Sequence, residues 1–138
     1  TGVQTCALPI SPEITDALTN FGEAMGLVFQ LADDIIDIAS ESNESGKTPG
    51  TDLREGVPTL VTLHILESND PKDAELKQLL STPIKDENLV QETIKNLRAH
   101  RAVEQSREVI SKYAAETRKH LSTSIHTAFL ARSSLIRG

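Results

Sequence analysis

The sequence predicts an all-α fold, and three observations carry that expectation. Apolar residues recur at helical spacing in one segment after another. No run alternates apolar and polar residues for long enough to suggest a sheet. Capping residues and prolines punctuate the chain at helix-sized intervals, as at Ser11-Pro12, Asn69-Asp70-Pro71 and Ser81-Thr82-Pro83.

In chain order, residues 1–10 show neither period and their Thr, Gly, Cys and Pro content reads as coil. They are left unassigned, as a foreign junction or a disordered end, and residues 11–138 are read as the folded part. Ser11 as N-cap, Pro12 at the first helical position and Glu13 and Asp16 near the positive end of the dipole open a helix expected from Pro12 to Ala39. Gly22 and Gly26 offer places for close packing or a bend. Ser40 to Gly56 reads as a loop, in which Gly46, Gly50 and Gly56 let the backbone turn or approach a ligand closely.

Pro58 is expected to open a second helix to about Leu66, with Leu60, Leu63, Ile65 and Leu66 as its apolar surface. Asp70 caps and Pro71 starts a short helix holding Leu76, Leu79 and Leu80. Asp86 caps the next, where Leu89, Ile94 and Leu97 recur at helical spacing. After a break near His100, Val103, Val109, Ile110, Tyr113 and Ala114 describe a helix to about Leu121, and Ile125 to Ile136 a final short one.

The chain has 138 residues, about one domain by length. Its net charge of -6 argues against a nucleic-acid surface, for which a basic face is the footprint. Aromatics at 3 % leave no stacking platform and require an aliphatic core. The single cysteine, Cys6, cannot make an internal disulfide and suits a reducing, cytoplasmic compartment. No apolar run approaches the ~20 residues that span a bilayer. The only methionine is Met25, so the sequence does not begin at an initiator codon and is read as a fragment or a chain trimmed at its front.

The first helix carries a conflict. From Ala24 to Ala39 its only polar side chains are Gln30, Asp33, Asp34 and Asp37, spaced i, i+3, i+4, i+7 on one face. A narrow polar stripe on an otherwise apolar cylinder inverts the usual surface helix and is expected to line a cavity. Crowded aspartates repel one another and resist desolvation unless a cation sits among them. Carboxylate oxygen is a hard ligand, and with no Cys or His within a turn the cation expected is magnesium, often shared with substrate phosphates. The alternative is a helix whose carboxylates face solvent at a domain edge. Lys47 and Arg54 are the cations nearest the stripe in sequence: either a basic loop for polyphosphate or two solvated side chains.

Other motifs fail on their own terms. Gly46-Lys47-Thr48 resembles the end of a Walker loop, but Glu41 stands where its first glycine belongs and no strand precedes it. An EF-hand begun at Asp33 would need glycine at Ile38. His64, His100, His120 and His126 have no metal-ligand spacing. Glu104, Arg107, Glu108, Lys112, Glu116 and Lys119 form helical opposite-charge pairs, read as a solvated face.

Phe21-Gly22, Gly26, Phe29-Gln30-Leu31-Ala32-Asp33-Asp34-Ile35-Ile36-Asp37, then Gly46 to Gly56 with Lys47, Gly50, Asp52 and Leu53, and finally Pro58-Thr59-Leu60 resemble the C-terminal part of polyprenyl diphosphate synthases. The match is strong from Phe21 to Leu60 and looser beyond, where Ala102 to Ala115 is similar to a late helix of the family.

The resemblance implies an isoprenoid-synthase-type helical bundle around a deep cavity, with two aspartate-rich motifs on facing helices holding magnesium. It implies head-to-tail transfer of an allylic prenyl group to isopentenyl diphosphate, with diphosphate released. Asp33 then stands in the place of a direct magnesium ligand, and Asp34 and Asp37 in that of ligands or holders of metal-bound water. Gln30 would sit near the allylic substrate and its cation, and Lys47 would contact the allylic diphosphate. Arg54 would touch either the loop or the diphosphate. Val57 stands where the family often has a second lysine.

The family's first aspartate-rich motif and isopentenyl diphosphate site have no counterpart in these residues, so the chain is expected to be inactive alone and part of a homodimeric enzyme when complete. Two rivals stay open, a helical terpene cyclase and a non-catalytic helical subunit whose carboxylates pair with a partner's cations.

Overall fold

The computed structural model describes residues 11–39 and 49–136. Every regular element among them is helical: α1 (Pro12–Ala39), α2 (Thr51–Glu55), α3 (Leu60–Leu66), a 3-10 turn (Pro71–Asp73), α4 (Ala74–Leu80), α5 (Glu87–Arg98) and α6 (Arg101–Ile136). The all-α expectation holds. The unassigned residues 1–10 and the loop residues Gly46, Lys47 and Thr48 lie outside the described residues.

Local chemistry explains most boundaries. Ser11 Oγ accepts from the Ile14 N–H at 3.4 Å and its carbonyl from the Thr15 N–H at 3.0 Å, which satisfies donors left over at the start of α1. Asp70 caps the 3-10 turn by accepting from Lys72 N–H, with Pro71 next. Asp86 caps α5 by accepting from Leu89 N–H at 3.0 Å. At the far end of α1, Arg98 Nε reaches over from α5 and donates to the Ile38 carbonyl at 2.6 Å, satisfying an acceptor of the last turn.

Four expectations are corrected. The stretch Ser40 to Gly56 is not all loop, since Thr51–Glu55 is helical, bounded by Gly50 and Gly56, both at positive φ. The next helix does not open at Pro58. Thr59 caps it in a reciprocal capping box with Thr62, and those two hydroxyls are buried with each other. The apolar face of α3 is Val61 and Ile65 rather than Leu63, which stays 41 % exposed. The break expected near Leu121 is absent, and α6 runs unbroken to Ile136. Its Ser/Thr-rich stretch contains no Gly or Pro, and Thr123 and Thr127 turn their hydroxyls back onto the carbonyls of Lys119 and Thr123 within the helix.

The chain divides into two compact units, one taking α1 up to Leu27 with α6 from Tyr113, the other being Val28–Lys112. In the first, Ala17, Phe21 and Ala24 of α1 and Thr117 and Leu121 of α6 help line a groove. The second holds an aliphatic core of Ile35, Ile38, Leu53, Val61, Ile65, Ile84, Val90, Ile94, Leu97, Ala102, Val103 and Ile110. Polar groups inside it are satisfied locally: Thr93 Oγ1 donates to the Leu89 carbonyl and Ser106 Oγ to that of Ala102.

Candidate functional site

Only one edge of the aspartate helix enters the core. Ile35 and Ile38 are buried, while Ile36 and Phe29 are 51 % and 78 % exposed. The expected mostly buried cylinder is therefore not formed within these residues, because Val28–Lys112 covers one side of α1 only. Gly22 and Gly26, read as close-packing positions, have no neighbour within 4 Å of an added Cβ. The polar stripe lies at the surface of its unit, with Gln30 and Asp33 exposed and Asp34 and Asp37 half-buried.

What stands beside the stripe is the start of α2. Gly50 adopts φ +86°, a left-handed conformation that favours glycine, and its N–H donates to Asp37 Oδ2 at 3.3 Å. A Cβ there would lie 2.7 Å from Val90 and 2.8 Å from Ile94, so the turn is pressed onto α5 as well as tied to α1. Leu53, two residues into the next turn, is buried, and its carbonyl accepts from the Ile84 N–H.

This turn brings Asp52, half-buried, up to the stripe. The Asp34 carboxyl is pushed up from its ordinary value, first by burial and then by the charges of Asp52, Asp33 and Asp37. Asp52 is pushed up likewise, by burial and then by Asp37 and Glu55. The three aspartates expected from the stripe are thus joined by a fourth, Asp52, for which the sequence suggests no role. Its signal was the glycine two positions earlier, which permits the chain reversal.

Carboxylate oxygen is the ligand type that a hard divalent cation takes. Among the described residues no group of three or more His, Cys, Asp or Glu side chains is placed so that it could hold a metal ion. That donor set fits magnesium, which is commonly held by one or two carboxylates together with water and substrate phosphates.

Arg54 points to α5. Its Nε and NH2 donate to the two carboxylate oxygens of Glu87 at 3.0 and 2.7 Å, and its NH1 donates to the Pro49 carbonyl at 2.9 Å. The guanidinium and Gln91 hold the Glu87 carboxyl down to about 2. Val57 is 46 % exposed beyond the Gly56 cap. His100 belongs to a structural network, with Nε2 3.0 Å from Asp73 Oδ1 and Nδ1 accepting from the Ala102 N–H.

A family model described as polyprenyl synthetase matches residues 2–97. The chain belongs to the polyprenyl synthetase family. It is 46 % identical over 109 residues to a nonaprenyl diphosphate synthase of Mycobacterium tuberculosis, covering 79 % of this chain and 32 % of that protein. An octaprenyl diphosphate synthase of Escherichia coli is 37 % identical over 78 residues, 56 % of this chain and 23 % of that one. Among solved structures, a geranylgeranyl pyrophosphate synthase from Corynebacterium glutamicum, crystallised with calcium and isoprenyl diphosphate, superposes with a TM-score of 0.71 at 40 % identity. That comparison covers 81 % of this chain and 34 % of the other. The chain spans about a third or less of the length of these relatives.

Proposed function

We propose that the chain is one wall of the active site of a magnesium-dependent prenyltransferase, which joins an allylic diphosphate head-to-tail to isopentenyl diphosphate and releases diphosphate. The observation that carries this reading is the gathering of Asp34, Asp37 and Asp52 beside a glycine turn tied to α1. Four like charges so placed are unfavourable unless a cation offsets them.

When bound, magnesium supplies positive charge where the departing diphosphate gathers negative charge. Asp33, Asp34 and Asp37 would hold it, directly or through water, with Asp52 as a fourth carboxylate. Lys47 neutralises the same diphosphate from the loop. Gln30, one helical turn before Asp34 on the same face, turns its amide dipole toward the allylic group as that group becomes a cation. The exposed apolar surface of α1, with Phe29 and Ile36, is suited to excluding water from that cation once covered.

Relatives about three times as long support a second element of the reading: the isopentenyl diphosphate site and the opposing carboxylates come from residues beyond these. A homodimer is proposed for the complete enzyme. The low cysteine content supports a cytoplasmic location. Among the described residues no helix is long and apolar enough to cross a membrane.

The test is incubation of the purified 138-residue chain with magnesium, isopentenyl diphosphate and an allylic primer, beside the longer enzyme that includes it. The longer protein is expected to elongate the primer and the chain alone to leave it unchanged. Elongation by the chain alone would show that no second wall is needed.

A further inference from the structure

We propose that Glu87 is a positioning residue that acts through Arg54, fixing residues 49–54 so that Asp52 faces the carboxylates of α1. The proposal rests on the prenyl-transfer reading above, and it places a determinant of that site on α5, 33 residues beyond Arg54.

The contacts form a continuous path. Glu87 takes Arg54 in a two-pronged pair, Nε to Oε2 at 3.0 Å and NH2 to Oε1 at 2.7 Å, a geometry that fixes the guanidinium plane as well as its position. The remaining nitrogen, NH1, donates to the Pro49 carbonyl at 2.9 Å. The next residue is Gly50, whose N–H is bonded to Asp37. The path from α5 to α1 therefore runs Glu87, Arg54, Pro49, Gly50, Asp37. Two side chains steady its ends: Gln91 Nε2 donates to Glu87 Oε1 at 2.9 Å, and Lys85 Nζ donates to the Arg54 carbonyl at 2.9 Å.

Three of the five guanidinium N–H groups of Arg54 are taken by Glu87 and the Pro49 carbonyl, and on this proposal Arg54 serves the diphosphate by shaping the loop. Glu87 is 59 % exposed, and an exposed ion pair contributes little to global stability. Its effect lies in orientation, which separates this role from that of a core residue. The segment it orients is short and carries Asp52 in the middle. Release of the fork removes the bond to the Pro49 carbonyl and leaves Gly50 with its Asp37 contact and its packing on Val90 and Ile94.

The experiment compares Glu87→Gln, Glu87→Ala, Glu87→Asp, Arg54→Ala and the double alanine variant in the longer enzyme that carries this chain. Glu87→Gln and Glu87→Ala are expected to raise the KM for the allylic diphosphate and the magnesium requirement by roughly tenfold. The KM for isopentenyl diphosphate and the Tm stay where they were, and Glu87→Asp recovers most of the loss. The double variant costs no more than either single one, since the two residues act as a unit. The proposal is overturned if both KM values rise together, or if Arg54→Ala is costly while Glu87→Ala is silent, which would put Arg54 on the diphosphate itself.

A second readout needs no turnover. In the 138-residue chain, Glu87→Ala is expected to speed amide exchange in residues 50–54 by about tenfold while Leu60–Leu66 exchanges as before. Unchanged exchange at 50–54 overturns the clamp. Lack of prenyl transfer by the unsubstituted enzyme would instead strike the proposed function, and the exchange result would still decide the clamp.

Discussion

Asp37 Oδ2 accepts a hydrogen bond from the Gly50 N–H at 3.3 Å, so one aspartate of α1 is spent on holding the turn that delivers another, Asp52. Asp37 has a structural duty and, on the proposed reading, a metal-binding one. The two separate by substitution. Asp37→Asn keeps an acceptor for Gly50 and loses the charge, so the chain is expected to retain its Tm within a degree or two while magnesium affinity of the complete enzyme falls. Asp37→Ala loses both, and thermal unfolding beside magnesium titration distinguishes them.

Gly50 is the second participant. An added methyl group would meet Val90 and Ile94 below 3 Å and would force a residue with a Cβ to φ +86°. Gly50→Ala is expected to cost about 1–3 kcal/mol from overpacking and left-handed strain. Urea unfolding of the chain measures it, with the slope unchanged if the folded state keeps its compactness.

Asp52 should behave in the opposite sense. Burial and its acidic neighbours push its carboxyl up, which means that the charged form is held against an unfavourable field. Asp52→Asn is expected to raise the Tm of the metal-free chain and to weaken magnesium binding by the complete enzyme. A fall in Tm would show that the carboxylate is held by favourable contacts instead.

How much of this was legible follows from the range of the forces involved. Caps are local, so Ser11-Pro12, Asp70-Pro71 and Asp86 marked helix starts that the structure reproduces. The long period of α1 was equally plain, and its bounds agree with Pro12–Ala39. Helix α2 was hidden because five residues carry no period and its support comes from Asp37, Glu87 and Ile84, all distant in sequence. Asp52 joined the aspartates only through the left-handed turn at Gly50. The continuity of α6 was hidden because the apolar period lapses at Ser122-Thr123-Ser124, whereas the hydroxyls of Thr123 and Thr127 bond back into the helix. Leu63 looked like core and is exposed, since a helix as short as α3 takes its face from what lies against it, and Leu89 in the first turn of α5 is exposed as well.

The acid limit of the fold has its own marker. Asp73, 7 % exposed at the side chain, receives Arg101 NH2 at 3.2 Å and stands 3.0 Å from His100 Nε2. Hydrogen bonds from Ser68 and His100, with Arg101 adding, hold its carboxyl down to about 2. A carboxyl lowered from the ordinary ~3.9 adds stability that is fully present above about pH 4 and is lost as the pH falls toward 2. Asp73→Asn is expected to lower the Tm at pH 7 and to flatten its decline between about pH 4 and 2, as read by circular dichroism across pH.

The account as a whole stands on the aspartate stripe of α1 acting in prenyl transfer. Incorporation of labelled isopentenyl diphosphate into an allylic primer, by the longer enzyme with Asp33, Asp34 or Lys47 replaced by alanine, measures this most directly. Each replacement is expected to lower turnover by roughly 100-fold or more, the scale of removing a group that stabilises transition-state charge, with the fold retained. Turnover equal to that of the unsubstituted enzyme in all three would contradict the account.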